Sequence, residues 1–435
     1  MFGIPTVVAG LFQPISIPKT IILFTLGMAA FIGMGHWGAI FYAQNKIDPK
    51  PLMPSQTELL PYTPGVTEST IDFFRDCLYR SLATEESLTP TQIYKHQPEY
   101  QNITLMHLTL KDIPEKFSEG LWFVYVSITY STTPVKGGIS SPEQQLAILT
   151  RLLTAFSTGH IGFLNLSGVN MAINQAPSNA KLPLSVVNGL SISGCSPTFV
   201  EWLLGSTDIK PYQGGIGLHL TGGSSEDLTC LDRLNPNVLS SIYLIGLKSL
   251  KSLECKLLER RVLNEFSLND TPPQLEVSEQ TAKHILARKW SSLEMPLSIL
   301  QKICSYSKKD INMRGRLVIC VRDLEERKLI EDCHQLFKIT AECLSLHIST
   351  YDATTPELII LELALQWISH NITNAKFINI WVGDLTDREI SFLQKSLIRV
   401  KLLTKLERVQ INSVLVSLVP ASQIPEGAPH VLSTL

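Results

Sequence analysis

The feature that most constrains this sequence is a short apolar motif that returns along the middle of the chain. Four segments of the form apolar–x–apolar–x–Gly begin at Leu164, Leu190, Leu218 and Ile242. Their starts are therefore 26, 28 and 24 residues apart. Glycine makes up only 25 of the 435 residues, so its return at one fixed offset four times in succession is not a chance event. A period of this length predicts a repeated unit of secondary structure.

The apolar–x–apolar core continues toward the C-terminus without the glycine. Alternation over so few residues predicts a short β-strand with one buried face. The intervening residue is polar in most units, as at Asn165, Ser191 and Asn379. Strands of doubly wound sheets and barrels are buried on both faces and read as continuous apolar runs, so the pattern disfavours an ordinary α/β domain. The further cores begin at Phe266, Leu293, Leu317, Leu344, Ile378 and Val409.

Signals for the start of a helix lie between the predicted strands. Ser196 is followed by Pro197, which is the combination of an N-cap and a proline in the first turn. Thr386 is followed three residues later by Glu389, which is the pattern of a capping box. Each unit is therefore predicted to contain one strand, a turn and one helix, and the fold class is predicted to be α/β.

These units resemble the leucine-rich repeat, whose frame is L-x-x-L-x-L followed by a turn and a helix. Val187-x-x-Leu190-x-Ile192-x-x-Cys195 is similar to the cysteine-containing subtype of that family. The resemblance implies a solenoid, or horseshoe, of about ten strand–helix units. It also implies a concave face that binds protein partners.

The resemblance extends over residues 159–418. Gly383-Asp384-Leu385-Thr386-Asp387 and the leucine-rich segment after it are similar to ribonuclease-inhibitor-like repeats. The sequence departs from the family in two respects. The Asn or Cys that follows the strand in such repeats is clear only at Cys195, and the last two spacings, 34 and 31 residues, are long.

A second constraint is an uncharged stretch near the N-terminus. Between Thr20 and Asn45 there is no Asp, Glu, Lys or Arg. About 20 apolar residues are enough to cross a bilayer as a helix, and Trp37 and Tyr42 would suit a membrane interface. We therefore predict a transmembrane helix over 20–43 and a single-pass membrane protein, with the side of the repeat domain undetermined. A cleaved signal peptide and a buried helix are the alternatives.

The rest of the chain is divided by composition. Five prolines between Pro49 and Pro64 predict an extended linker, and residues 68–83 have the spacing of an amphipathic helix. The predicted order is an N-terminal tail (1–19), the transmembrane helix (20–43), a Pro-rich linker (44–67), a helical and strand-containing cap region (68–158), the repeats (159–418) and a C-terminal tail (419–435).

The sequence carries no recognisable constellation for catalysis. It has no Walker A loop, no G-x-S-x-G elbow, no H-E-x-x-H and no EF-hand loop. Its eight cysteines include no C-x-x-C pair, and no histidines stand at metal-ligand spacing. The net charge of −2 argues against a nucleic-acid-binding protein. We predict no enzyme activity, no catalytic residue, no cofactor, no metal and no nucleic-acid partner.

The predicted function is that of a membrane-anchored module that binds a protein partner through the concave face of the repeats. Interface energy concentrates in Trp, Tyr and Arg, and exposed Trp and Phe side by side on one strand are costly unless something covers them. Phe377, Trp381 and Arg408 are therefore the hypothetical protein-binding residues, unless an insertion around 352–356 covers them. Two alternatives stay open: a substrate adaptor of a ubiquitin ligase, because cysteine-containing repeats often accompany F-box segments, and an α/β enzyme.

Overall fold

We describe the fold from a computed structural model of the chain, in which Leu60–Leu435 form one compact unit. The other unit, Met1–Leu59, lies outside the described residues. The structure describes residues 66–82, 100–130, 141–169, 181–212, 214–259, 263–272, 274–307, 311–322, 324–331, 338–349, 357–383, 385–401, 403–420, 422–423 and 430–435.

Helices and strands alternate along most of the described chain. The α-helices are α1 (Glu68–Leu82), α2 (Pro142–Phe156), α3 (Pro197–Ser206), α4 (Lys256–Glu259), α5 (Glu279–Ala287), α6 (Leu297–Ser305), α7 (Leu324–Glu331), α8 (Glu357–Asn371) and α9 (Asp387–Lys395). The strands are β1 (Tyr100–Thr104), β2 (Trp122–Thr129), β3 (His160–Ser167), β4 (Leu182–Ser193), β5 (Thr207–Pro211), β6 (Ile216–Thr221), β7 (Leu239–Ile245), β8 (Glu265–Asn269), β9 (Ser292–Pro296), β10 (Ile311–Val321), β11 (Ile339–Ile348), β12 (Ile372–Val382), β13 (Ser396–Val400), β14 (Arg408–Ile411), β15 (Val414–Pro420) and β16 (His430–Thr434).

The sixteen strands form one mostly parallel sheet. From β1 to β12 they follow one another in chain order, with β5 as a side branch on β4. Parallel neighbours require a crossover connection, which the intervening helices and turns supply. At the C-terminal end β12 pairs with β14, β14 pairs with β15 in antiparallel fashion, and β13 lies between β15 and β16. The predicted α/β class is therefore confirmed.

The predicted core residues share one register across the sheet. Leu190 pairs with Leu164 on one side and with Leu218 on the other, and Ile378 pairs with Val409. Each of these side chains is at most 2% exposed. All ten predicted cores lie in strands, namely β3, β4, β6 to β12 and β14. Burial of one such aliphatic side chain contributes about 1.5–3 kcal/mol, so this row of side chains is a main source of stability.

Two of the predicted helix starts are also confirmed. The Ser196 hydroxyl accepts a hydrogen bond from the backbone N–H of Phe199 at 3.3 Å and caps α3. The Thr386 hydroxyl accepts one from the N–H of Glu389 at 3.3 Å, and the Glu389 carboxylate accepts one from the N–H of Thr386 at 2.8 Å. This reciprocal pair satisfies two backbone donors at the start of α9.

The prediction of a leucine-rich-repeat horseshoe with about ten strand–helix units is wrong. Two 3-10 helices, Thr229–Arg233 and Pro236–Val238, connect β6 to β7, and the described residues between β7 and β8 contain one helix, the four-residue α4. The sheet also begins before residue 159, because β1 and β2 continue it through the predicted cap region 68–158. Its far end contains an antiparallel pair and an out-of-order strand. The motif locates strands, but it does not determine what connects them.

The predicted membrane anchor is not supported. The segment 20–43 lies outside the described residues. In the part of the chain that the structure does describe, no helix is both long enough and apolar enough to cross a membrane. We therefore correct the predictions of a single-pass membrane localisation and of a bilayer contact. A run without charged residues is necessary for a transmembrane helix, but it is not sufficient to show one.

Candidate functional site

Each strand of the sheet presents a second face, opposite the core. Side chains alternate along a strand, so the residues before, between and after the two core positions all point to this face, which we call the front face. On β12 these residues are Phe377, Asn379 and Trp381, all half-buried. Neighbouring strands lie only about 4.8 Å apart, so their front-face side chains partly cover one another.

The three predicted binding residues, Phe377, Trp381 and Arg408, all lie on the front face, and we call them the contact patch. Phe377 of β12 and Arg408 of β14 are direct register partners. The guanidinium carbon of Arg408 is 5.1 Å from the centroid of the Phe377 ring, and the Lys376 ammonium is also 5.1 Å from that centroid. A cation at this distance from an aromatic face is attracted to its electrons. The structure thus brings two of the three residues, Phe377 and Arg408, into contact.

Trp381 lies farther along β12, four residues after Phe377. At about 3.3 Å per residue the two positions are about 13 Å apart. The ring of Trp381 meets the ring of His347 on β11, with centroids 6.4 Å apart and planes at 70°. The contact patch therefore has an Arg–Phe end and a Trp–His end, with Asn379 between them.

Two polar atoms in this region are buried and make no hydrogen bond with any described residue. They are Oδ1 of Asn379 and Nε2 of His347. The amide nitrogen of Asn379 has only a long contact, 3.9 Å, to the sulfur of Cys343. A buried polar atom without a partner costs about 1–3 kcal/mol, and such atoms are uncommon in folded proteins. Seven further side-chain atoms of the described residues are in the same state, so this feature is not particular to the contact patch.

A second arginine lies on the same row of front-face positions as Phe377. Arg316 of β10 is in register with Cys343 of β11, which is in register with Phe377 and then Arg408. The Arg316 side chain donates hydrogen bonds from Nε and Nη2 to the hydroxyl of Ser345, both at 3.3 Å. Burial lowers the pKa of Arg316 from its usual value. The two guanidinium groups therefore lie three strands apart in one row, and beyond Arg316 the row continues to Ser292 of β9 and Glu265 of β8.

The middle of the front face carries carboxylates instead. Glu294 of β9 accepts hydrogen bonds from the Ser267 hydroxyl at 2.8 Å and from the Asn269 amide at 2.6 Å. Glu265 of β8 accepts one from the hydroxyl of Tyr243. Each carboxylate is thus bound within the sheet by neighbouring side chains, and charge on the front face changes sign between β9 and β10.

The N-terminal part of the front face is uncharged and aromatic. At the three front-face positions of β1, β2, β3, β4, β6 and β7, all of them described, there is no charged side chain. Tyr125 stacks on Phe163, with centroids 5.9 Å apart and planes at 10°. His219 stacks on Tyr243, with centroids 4.3 Å apart and planes at 16°.

Two glycines make room for these rings. A Cβ atom at Gly189 would lie 2.6 Å from the ring of Phe163. A Cβ atom at Gly217 would lie 3.0 Å from the Ser241 hydroxyl and 3.4 Å from the ring of His219. Glycine at a front-face position of two neighbouring strands is a sequence signal that a ring lies close to the backbone there. Our sequence analysis did not use it.

Burial lowers the pKa values of His219 and His347 to about 4. At His347, Glu294 raises the pKa, whereas Arg316 and Arg322 lower it further. Both imidazoles are therefore neutral at physiological pH. A neutral ring is also the form that stacks on Tyr243 without the cost of burying a charge.

We expect the free energy of unfolding to fall as the pH drops from about 6.5 to about 4. In this window the unfolded chain binds protons at His219 and His347 that the folded chain does not bind, so protons favour unfolding. One pKa unit corresponds to about 1.4 kcal/mol, and we expect each histidine to contribute about 1–3 kcal/mol of this loss.

Urea denaturation at several pH values measures this effect. The variants His219→Gln and His347→Gln should each lose less stability on acidification than the unchanged protein. His370→Gln, at an exposed histidine on α8, is the matched control and should lose as much as the unchanged protein. Equal pH profiles for all the proteins would show that neither buried imidazole stays neutral in the folded state.

Sequence reasoning placed Asn379 on the same face as Phe377 and Trp381 but missed His347 as a neighbour of the contact patch. The signal for His347 was present, because it is the register partner of Trp381 once the strands are aligned on their core residues. The alternative that an insertion around 352–356 covers Phe377 and Trp381 concerns residues outside the described part of the chain.

Among the residues that the structure describes, no group of three or more His, Cys, Asp or Glu side chains is placed to hold a metal ion. Comparison of the chain with protein-family models, with curated proteins and with solved structures found no match. The resemblance to leucine-rich repeats therefore rests on the residues quoted above alone, and the function must be argued from the geometry of this chain.

Proposed function

We propose that this protein is a protein-binding module and that its partner contacts the front face at β11, β12 and β14. The observation that carries the proposal is the arrangement of the contact patch. The guanidinium of Arg408 lies over the ring of Phe377, and Trp381 lies on the same strand as Phe377. Aromatic side chains and arginine are the residue types in which interface energy concentrates.

The strands hold these side chains in place before any partner arrives. β12 pairs over most of its length with β11 and over four residues with β14. A side chain on a paired strand loses less conformational freedom on binding than a side chain on a loop, so more of its contact energy appears as affinity.

The alternatives from the sequence stay hypotheses. A ubiquitin-ligase adaptor would need α1 to bind the ligase scaffold. Phe73 and Phe74 of α1 instead pack against Phe117, with ring centroids 5.1 and 4.8 Å apart. Nothing in the described part of the chain specifically favours the adaptor or the enzyme.

A library of random dodecapeptides displayed on phage, selected on the immobilised protein, supplies a probe for this proposal. We expect Trp381→Ala to weaken binding of the selected peptides by at least about 2 kcal/mol, or about 30-fold. The melting temperature should change by less than about 2 °C, because Trp381 lies on the front face and not in the core. Affinity is measured by fluorescence anisotropy and stability by calorimetry.

Tyr212→Ala is the matched control, because Tyr212 is an aromatic side chain with 49% exposure outside the contact patch. It should leave peptide affinity unchanged. A Trp381→Ala protein that melts at a much lower temperature but binds the peptides with unchanged affinity would show that Trp381 serves the core. Selected peptides that bind equally to both variants and to the unchanged protein would contradict the proposal.

A further inference from the structure

We propose that the partner segment at the contact patch carries a carboxylate, with a large apolar side chain about four residues away along the segment. This inference rests on the proposed function and names the chemistry of the partner. It follows from the environment of Arg408, from the distribution of charge on the front face, and from the spacing of Phe377 and Trp381.

Arg408 is exposed, and its guanidinium carbon lies over the Phe377 ring, 5.1 Å from the ring centroid. A guanidinium has five N–H donors, so one that lies over a ring can still bind a second partner, and its fork of N–H groups matches the two oxygens of a carboxylate. The neighbouring carboxylate of Glu407 pairs with Lys376 at 3.5 Å. Within the described part of the chain, Arg408 makes no ion pair.

The surrounding charges favour an anion at this end of the front face. Arg316 lies in the same register row as Arg408, three strands away, or about 14 Å at 4.8 Å per strand. Both guanidinium groups act on Cys343 between them and oppose the rise in its pKa that burial causes. Beyond Arg316 the row continues to Ser292 and then to the carboxylate of Glu265, so positive charge acts on the part of the row between Arg316 and Arg408.

The carboxylates of the front face limit where a second carboxylate can bind. Glu294 lies on β9, directly beside the strand of Arg316, and Glu265 lies on β8. Glu294 would repel a carboxylate bound near Arg316. Arg408 is three strands farther from Glu294 than Arg316 is, so a carboxylate bound there is repelled less. The partner's carboxylate is therefore expected at Arg408.

The apolar part of the partner is expected at Trp381. Phe377 and Trp381 are about 13 Å apart along β12, and an extended peptide covers this distance in about four residues. A segment that runs along the strand with its carboxylate on Arg408 would thus place an apolar side chain against Trp381 three to five residues away.

The phage-selected dodecapeptides test this inference. We expect the peptides that depend on Trp381 to share an Asp or Glu three to five residues from an aromatic or large aliphatic residue. Replacement of that acid by Asn or Gln in a synthetic peptide should weaken binding by at least about tenfold. With the Arg408→Gln protein, the acidic and the amide peptides should bind equally.

A second pair of synthetic peptides distinguishes the source of the carboxylate. A peptide that keeps its affinity with an amidated C-terminus presents a side-chain carboxylate, and one that loses affinity presents its terminal carboxylate; either result supports the inference. Peptides that require Trp381 but bind equally well without any carboxylate would overturn the inference and leave the proposed function intact. Peptides that do not require Trp381 would overturn both.

Discussion

The substitution Leu244→Asp is expected to unfold the protein at physiological temperature or to lower its free energy of unfolding by more than about 4 kcal/mol. Leu244 is fully buried on β7, in register with Leu220 of β6 and Leu268 of β8, which are at most 5% exposed. A carboxylate at this position would lose its hydration without gaining a cationic partner, and removal of the leucine would leave a cavity.

Leu415→Asp provides the matched control for this experiment. Leu415 on β15 is 62% exposed, so the same change of side chain removes little buried surface there. Its expected effect is within about 0.5 kcal/mol. Chemical denaturation of the two variants and of the unchanged protein measures the difference. If Leu244→Asp unfolds at the same denaturant concentration as the unchanged protein, Leu244 of β7 does not lie in the core as described.

The second large effect is expected from Gly315→Ala. A Cβ atom at Gly315 would lie 2.3 Å from the carbonyl oxygen of Ser291 and 2.5 Å from that of Trp290. Both are backbone atoms of the segment that leads into β9, so neither can rotate away. The position lies where the pairing of β10 with β11 shifts register between Met313 and Arg316. We expect a loss of about 3 kcal/mol or more, because the strands must separate or the bulge must rearrange.

Gly194→Ala separates this close approach from the ordinary cost of replacing a glycine. Gly194 has a φ of +59°, but a Cβ atom there would meet nothing within 4 Å. Alanine at this position therefore adds only the strain of a left-handed backbone, which costs about 1–2 kcal/mol. If urea denaturation shows that Gly315→Ala costs no more than Gly194→Ala, the contact between the backbone segments is looser than described.

The positions of the strands were predictable from sequence because burial of alternate residues leaves a local pattern. Leu164 and Leu190 belong to such patterns, and they face each other in the sheet. Because every core aligns with the next, the residue before each core also aligns, and this rule places Phe377 beside Arg408. That part of the candidate site follows from sequence spacing alone.

Features that depend on contacts distant in sequence were not predictable in the same way. The sequence also predicts a strand around Leu105–Leu110, but β1 ends at Thr104, and a 3-10 helix follows over Leu105–His107. Leu110 of that segment is 49% exposed, whereas Leu105 and Leu108 are buried. Their hydrophobicity indicates burial, but it does not decide whether the backbone is extended or turned.

The connections between strands were the weakest part of the sequence prediction. Capping signals such as Ser196 and Thr386 identify individual helices correctly. The segment between β6 and β7 has no such regular helix and folds as two 3-10 helices that contribute the buried Leu231 and Val238 to the core. Several kinds of connection can cover a sheet, so the period of the strands alone does not imply a regular horseshoe.

The pair of Arg408 and Phe377 becomes a candidate site only when its surroundings are seen. The ion pair of Glu407 with Lys376 depends on side-chain positions that sequence spacing does not determine. This ion pair neutralises the carboxylate nearest to Arg408, so the surface at this end of the row keeps a positive charge.

The most direct test of the central claim is hydroxyl-radical footprinting of the protein with and without a selected dodecapeptide. Mass spectrometry reports the oxidation of each aromatic side chain. The account predicts that the peptide lowers oxidation of Phe377 and Trp381 and leaves oxidation of the exposed Tyr212 and Tyr306 unchanged. Protection of Tyr212 or Tyr306, with no change at Phe377 and Trp381, would show that the partner binds elsewhere and would contradict the account.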